Sequence, residues 1–188
     1  MYSSSGAYLF ISYLCVFASS RLCAFALKNS QRFFVKKLMK FRFVWIGKTK
    51  EKNYRALQDE YLGRLSHFVK CEVVEIRDSA PHETKEIEGK RILEKLNQSS
   101  FVCLLDVTGR SISSPELAKE IEKWQNGGTK EISFVIGGAG GVSAEVAASA
   151  DFRLSLSFLT FTHEMARVVM LEQLYRAYTI LKGYPYQK

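Results

Sequence analysis

The sequence predicts an α/β fold in which a mostly parallel sheet carries helices on both faces. From residue 41 onward, short apolar segments rich in aromatic and β-branched residues alternate with longer segments of helical periodicity. A glycine-rich stretch follows the fourth apolar segment. The composition, 47% hydrophobic and 24% charged, is that of a globular chain, and the length of 188 residues fits one domain or one domain plus an extension. Strands that alternate with helices imply parallel pairing, with both faces of the sheet covered.

Five strands are predicted from apolar runs that end at glycine, charged or turn residues. The third run is apolar throughout and is expected to be buried on both faces, with a break at Thr108 and Gly109. The five strands are Phe41–Ile46, Cys71–Ile76, Phe101–Val107, Ile132–Ile136 and Phe152–Leu156.

Five helices are predicted around these strands. In the first, Leu57 lies on the apolar face, and in the second Ile87 shares the apolar face with Ile92. The third begins at Ser114, a candidate N-cap, with Pro115 in its first turn. The fifth begins at His163 or Glu164. The five helices cover residues 50–69, 85–96, 114–125, 143–150 and 163–181.

The net charge of +8 is distributed unevenly, because residues 1–38 carry five basic residues and no acid. The apolar run at 7–18 is too short to span a membrane. A secretory signal has basic residues before its apolar core, and none precede this run. We expect residues 1–38 to be an organelle transit peptide, for the chloroplast stroma or the mitochondrial matrix. The alternatives are a secretory signal, an intrinsic part of the domain and a mis-called start of the sequence. The domain is then 39–188.

Charge and cysteine content argue against an unaided RNA-binding protein and against a cysteine-based metal site. Residues 39–188 hold 22 basic and 19 acidic residues, a net charge of +3, which is weak for an unaided RNA binder. The four cysteines have no metal-type spacing and are interpreted as buried or incidental thiols. We expect no metal cofactor and no membrane association.

Three predicted strands end in loops that are candidates for ligand binding, because open α/β sheets bind ligands at the carboxyl ends of their strands. These loops are LLDVTG, IGGAGG and SFLTFT. The glycine-rich loop fits either a nucleotide-like cofactor or a structural turn. It lacks the Gly-Lys-Ser/Thr of a P-loop, and Ser143 occupies the third glycine position of the dinucleotide fingerprint. A Rossmann-type nucleotide enzyme is therefore disfavoured.

The last predicted helix has a wide apolar arc with polar residues embedded in it. Arg167, Leu171, Leu174 and Tyr178 lie on one stripe. The arc fits either a buried core helix or a subunit interface. His163, where the helix begins, is interpreted either as a capping or packing residue or as a catalytic one.

Three segments together identify a family resemblance: IGGAGG, then LSLSFLTFTHEMARVVMLEQLYRAYTILKG, then the terminal YPYQK. They closely resemble the RlmH group of SPOUT methyltransferases, which methylate large-subunit ribosomal RNA. The resemblance extends back through LLDVTGRSISSPELAKEI to FRFVWIGKTKEKNYRALQDEYLGRL, and covers about residues 39–188. It implies a SPOUT-type domain with a C-terminal trefoil knot. It also implies a homodimer through the C-terminal helix, in which each site is completed by the partner.

The same resemblance implies S-adenosyl-L-methionine as the cofactor. The positions that match the family's cofactor contacts follow the third, fourth and fifth strands. They are Leu105, Gly137, Leu156, Ser157, Phe158, Leu159, Thr160 and Phe161.

The implied reaction is methyl transfer to N3 of a pseudouridine in helix 69 of the large-subunit RNA, within the assembled ribosome. His163, Arg167 and Tyr186 match polar positions near the family's site. Our hypothesis is that Arg167 contacts a phosphate or carbonyl, and that His163 or Tyr186 handles the proton or positions the base. Relatives commonly end in Tyr-His-Lys or Tyr-His-Arg, whereas Gln187 stands in place of that histidine here. The departure supports one alternative, a ribosome-binding or assembly factor with the same fold.

Overall fold

The structure is a computed structural model that describes residues 39–78, 84–138 and 140–187. The predicted transit peptide, with its apolar run at 7–18, lies outside the described residues and stays a prediction. Within the described part of the chain, no helix is long and apolar enough to cross a membrane.

The order of elements follows the prediction, with boundaries shifted by a few residues. The strands are β1 (Lys40–Ile46), β2 (Lys70–Ile76), β3 (Phe101–Ser111), β4 (Glu131–Ile136) and β5 (Phe152–Ser155). The helices are α1 (Lys52–Ser66), α2 (Lys85–Lys95), α3 (Ser114–Asn126), α4 (Ala144–Ala148) and α5 (His163–Lys182), and a 3₁₀ turn at Pro185–Gln187 follows.

The five strands form one sheet in the order β2-β1-β4-β3-β5, and all four pairings are parallel. Alternate side chains of β1 enter two separate cores: Phe41 and Phe43 face α1, α3 and α5, whereas Val44 and Ile46 face α2 and α4. The predicted α/β class, with helices on both faces, is confirmed. The trefoil knot stays a prediction of the resemblance.

Helix α5 packs against α1 and α3. It buries the whole predicted stripe of Arg167, Leu171, Leu174 and Tyr178. For this stripe, the core-helix interpretation is confirmed. The subunit-interface interpretation concerns the remaining surface of α5 and stays a prediction.

Three local predictions about helices were wrong. The N-cap of α3 is Ser113, one residue before the predicted one, because Ser113 and Glu116 form a reciprocal capping box. In α1, Gln58 is buried together with Leu65, whereas Leu57 is 38% exposed. In α2, Ile87 is 43% exposed, whereas Glu88 is buried on the same stripe as Ile92. In α1 and α2, helical spacing is compatible with burial of either of two faces, and packing against the neighbouring elements decides which face is buried.

The predicted break of β3 at Thr108 and Gly109 is an interruption of the pairing with β5 and not the end of the strand. The strand continues to Ser111, but residues 106–109 bulge outward, so that both Leu105 and Arg110 pair with Leu154 of β5. At Gly109, a Cβ would lie 2.8 Å from the backbone of β5, so only glycine permits this approach. Only the first half of the strand is buried on both faces, since Val107 is 56% exposed.

Two of the four cysteines lie in the described residues, and both are free thiols. Cys103 is completely buried, and burial raises the pKa of Cys71 to about 11. Cys103 is thus a buried thiol, as predicted, whereas Cys71 is half-buried and its raised pKa keeps it protonated at neutral pH. Cys15 and Cys23 lie outside the described residues.

Candidate active site

Three neighbouring strands bring the predicted cofactor residues together, where β4 and β5 end and where the regular pairing of β3 stops at Leu105. Strands β4, β3 and β5 lie side by side, with Leu105 opposite Leu154. Gly137 directly follows β4, and Leu156 directly follows β5. Leu105 and Leu156 are both half-buried and pack against the core on the α5 side of the sheet. Strand register thus places all three segments at one edge of the sheet.

Residues 156–162 run along this edge from β5 towards β1. They leave β5, the outermost strand, and enter α5. The Glu164 carboxylate in the first turn of α5 accepts the backbone N–H groups of Lys50 (2.9 Å) and Glu51 (3.2 Å), just after β1. Strand β1 lies three strand positions from β5, about 14 Å at the usual spacing. The segment therefore passes the ends of β3 and β4.

Most of this segment offers apolar surface to solvent. Phe158 is 90%, Leu159 74% and Phe161 37% exposed, and Thr160 is exposed as well. The half-buried Ser157 accepts the backbone N–H of Leu159 through its Oγ at 2.9 Å. Three exposed large apolar side chains within four residues indicate a surface that a ligand or partner covers.

A tight turn follows β4. Gly141 has a φ of +79°, and its N–H donates to the Gly138 carbonyl at 3.1 Å. A Cβ on Gly137 would lie 2.7 Å from Cγ1 of Val142. The stretch is therefore a structural turn, and only at Gly140 and Gly141 would a Cβ meet no atom of the described residues within 4 Å.

Glu88 supports this turn and was missed by the sequence-based prediction. It is only 8% exposed, and its carboxylate accepts the Gly138 N–H at 3.2 Å. The next residue, Gly89, packs so tightly that a Cβ would lie 2.2 Å from Oγ of Ser143. The available signal was the i, i+4 spacing of Glu88 from Ile92, which places a carboxylate on the buried face of α2.

Arg167 is completely buried. Its guanidinium donates to Oγ1 of Thr49 at 2.8 Å and to the carbonyl of Ile46, and lies 5.1 Å from the ring centroid of Trp45. Burial lowers the pKa of this guanidinium, and the negative charge of Glu164 opposes that effect. These contacts fasten the start of α5 to the end of β1.

One chain does not bring His163 and Tyr186 together. His163 is half-buried and is the first residue of α5; the cap is Thr162, whose side chain accepts the Met165 N–H. The Tyr186 hydroxyl lies at Glu172, to which it donates at 3.2 Å. Glu172 follows His163 by nine residues, about 14 Å along a helix axis.

The Tyr186 ring is enclosed by aromatic and charged neighbours. The centroid of the Tyr186 ring lies 4.8 Å from the centroid of the Tyr175 ring and 4.9 Å from the guanidinium carbon of Arg176. The hydroxyl oxygens of Tyr186 and Tyr61 are 3.4 Å apart. Burial, together with Tyr61 and Glu172, raises the pKa of Tyr186 above its ordinary value. The phenol therefore stays protonated at neutral pH and serves as a hydrogen-bond donor.

A pocket of about 640 Å³ opens beside this edge, between the start of α3, β5 and α5. Leu156 lines it, together with Ser114, Gln173 and Arg176. Its volume is within the range of small-molecule sites. Among the described residues, no group of three or more His, Cys, Asp or Glu side chains could hold a metal ion.

Residues 39–187 match a family model described as "Predicted SPOUT methyltransferase". The chain belongs to the SPOUT methyltransferase family. This SPOUT chain is 44% identical over 151 residues to the ribosomal RNA large subunit methyltransferase H of Geotalea daltonii, across 79% of the chain and 99% of that relative. It is 42% identical over 159 residues to the protein of the same name from Clostridioides difficile, across 80% and 100%.

A solved methylase family protein from Neisseria gonorrhoeae shares 11% identity with the chain at a TM-score of 0.46, covering 76% of this chain and 84% of that one. The fold assignment above depends on strand order and register.

Proposed function

We propose that this SPOUT protein is an S-adenosylmethionine-dependent methyltransferase that acts on large-subunit ribosomal RNA. The observation that carries the proposal is the convergence of Leu105, Gly137 and the segment 156–161 at one sheet edge. The identity of 44% to a ribosomal RNA large subunit methyltransferase supports the substrate class.

The residues at this edge fit an adenosyl group. Leu105 and Leu156 are half-buried apolar side chains, and Gly137 directly follows β4 in a turn that has no room for a side chain at this position. Phe158 and Leu159 add exposed apolar surface of the kind that a flat base covers. The bound cofactor supplies an already activated methyl group. The chain's remaining tasks are to hold the nucleophile in line and to assist loss of its proton.

For the target atom, the proposal is N3 of a pseudouridine in helix 69 of the large-subunit RNA. His163 begins α5 directly after the segment 156–162, so its imidazole is suited to position the base or to accept the N3 proton. Tyr186 stays protonated and is assigned the role of donor. Arg167 is buried away from solvent and donates a hydrogen bond to the Ile46 carbonyl at the end of β1. We assign it the role of positioning His163, because this bond fixes the start of α5, where His163 lies.

The separation of His163 from Tyr186 supports a homodimer in which the tail of a second copy completes each site. In one chain, the Tyr186 hydroxyl is bound to Glu172, about 14 Å along α5 from His163. The exposed apolar residues of the segment 156–161 are further surface for such a partner. Sedimentation equilibrium of the full chain would show whether it forms a dimer.

An organellar location is proposed for the protein, in chloroplasts or mitochondria. Its support is the basic, acid-free composition of residues 1–38, which lie outside the family match at 39–187. Fluorescent tagging at the C-terminus would show which organelle imports the protein.

The deciding test is mass analysis of helix 69 RNA from cells that lack the protein, done separately on chloroplast and mitochondrial ribosomes. We expect one methyl group to be lost from a pseudouridine in one of the two. Unchanged methylation in both would overturn the assignment as an enzyme and would favour an assembly factor with the same fold. Calorimetry with S-adenosylmethionine tests cofactor binding independently.

A further inference from the structure

The loop between β1 and α1, together with the first turn of α1, concentrates the positive charge of the domain. Residues 47–55 contain Lys48, Lys50, Lys52 and Arg55 against the single acid Glu51, a net charge of +3. Residues 39–188 as a whole also have a net charge of +3, so the rest of the domain balances to zero. This segment therefore carries a local excess of positive charge that can attract a polyanion.

Burial of Thr49 turns its neighbours outward. Thr49 is 1% exposed; its Oγ1 donates to Gln58 Oε1 at 2.8 Å, and its carbonyl accepts from the Arg55 guanidinium. Neighbouring side chains in an extended segment point to opposite sides. Lys48 and Lys50 are accordingly exposed, and Lys52 follows them on the surface.

The first turn of α5 holds this loop in place. Glu164 accepts the N–H groups of Lys50 and Glu51, and Arg167 donates to Thr49 and to the carbonyl of Ile46. The same turn begins with His163 and directly follows the segment 156–162. The lysines therefore stand at a fixed separation from the candidate active site.

We infer that Lys48, Lys50 and Lys52 form a phosphate-binding surface that holds the backbone of the substrate RNA beside the active site. This inference rests on the proposed function, and it names the surface through which that substrate is bound. The acids nearby leave the lysines available: Glu51 is engaged in capping α1, and Asp78 pairs with Lys50 at 3.3 Å, where Lys50 remains 79% exposed. Exposed pairs of this kind are weak, so a phosphate displaces the carboxylate readily. A loop already held rigid loses little entropy on binding.

The test compares two triple variants of the full chain. The first is Lys48→Gln, Lys50→Gln, Lys52→Gln. The matched control is Lys70→Gln, Lys95→Gln, Lys130→Gln. It removes the same charge from three exposed lysines on the side of the domain where the strands begin, opposite the candidate active site. Thermal unfolding of each variant verifies that folding is intact.

Binding to large-subunit RNA is measured over a range of salt concentrations. We expect the first variant to bind at least about tenfold more weakly at low salt. The slope of its log affinity against log salt concentration should be smaller in magnitude by about 2 to 3, because three phosphate contacts are lost. The control should stay within about twofold of the wild type in affinity. Equal losses in both variants, or none in the first, would overturn the inference.

Methyl transfer to large subunits that lack the modification separates this inference from the proposed function. We expect a raised KM for the subunits with little change in kcat, and unchanged affinity for S-adenosylmethionine by calorimetry. If the wild type transfers no methyl group, the proposed function fails, and the binding measurement still decides on the surface. If the wild type is active and the first variant has the same KM, the surface is refuted and the function stands.

Discussion

Replacement of Arg167 by alanine tests whether its guanidinium belongs to the core or to the RNA surface. The side chain is completely buried and donates to Thr49 Oγ1 and the Ile46 carbonyl, against the ring of Trp45. Its removal leaves both acceptors without this donor and opens a cavity at the junction of β1 and α5.

The magnitude follows from these contacts. Two charge-assisted hydrogen bonds contribute about 1.5 to 3 kcal/mol each, and the contact with the Trp45 ring adds up to about 2 kcal/mol. Relief from burying a charge offsets part of this, since desolvation lowers the pKa of the guanidinium. We expect a net loss of about 3 to 5 kcal/mol in the free energy of unfolding. At about 2 to 4 °C per kcal/mol for a chain of this size, Tm falls by roughly 10 °C.

The assay is urea unfolding of the full chain, followed by circular dichroism, alongside methyl transfer at a temperature where the variant is folded. Arg153→Ala is the control, because Arg153 is exposed and makes one hydrogen bond to the Ala147 carbonyl at 2.7 Å. Its loss should be about 1 kcal/mol or less. A loss below about 1 kcal/mol for Arg167→Ala, with methyl transfer abolished, would refute the structural role and restore the RNA contact.

Three further outcomes are expected. Glu88→Ala should weaken S-adenosylmethionine binding by about tenfold or more in calorimetry, because the glycine turn loses a charged acceptor, whereas the exposed Glu94→Ala on the same helix should not. Hydrogen bonds from the N–H groups of Lys50 and Glu51 lower the pKa of Glu164 in the folded protein. Glu164 therefore stabilises the fold at pH values above the ordinary carboxyl pKa, and this stabilisation is lost as the pH falls through the lowered pKa of the folded state. Glu164→Gln should remove that part of the acid sensitivity in unfolding curves. Gln187→His should raise turnover strongly if the family's tail histidine handles the proton, and unchanged turnover would dismiss that role.

The sequence by itself determined the order of strands and helices and, through resemblance, the family. Strand and helix periodicity are local properties, so β1 to β5 and α1 to α5 were found to within a few residues. Parallel pairing followed from the alternation of strands and helices, and it placed Leu105, Gly137 and the segment 156–161 at one edge.

Only the tertiary structure decided which way the polar residues face. The stripe containing Arg167 suited both a core and an interface, and its burial depends on how α5 meets β1 and Thr49. Glu88 was not among the residues predicted for the site, and packing of Gly89 against α4 places its carboxylate at the glycine turn. The bulge in β3 depends on its register with β5. A buried polar group is stable only where distant residues supply its partners, and no local pattern specifies those partners.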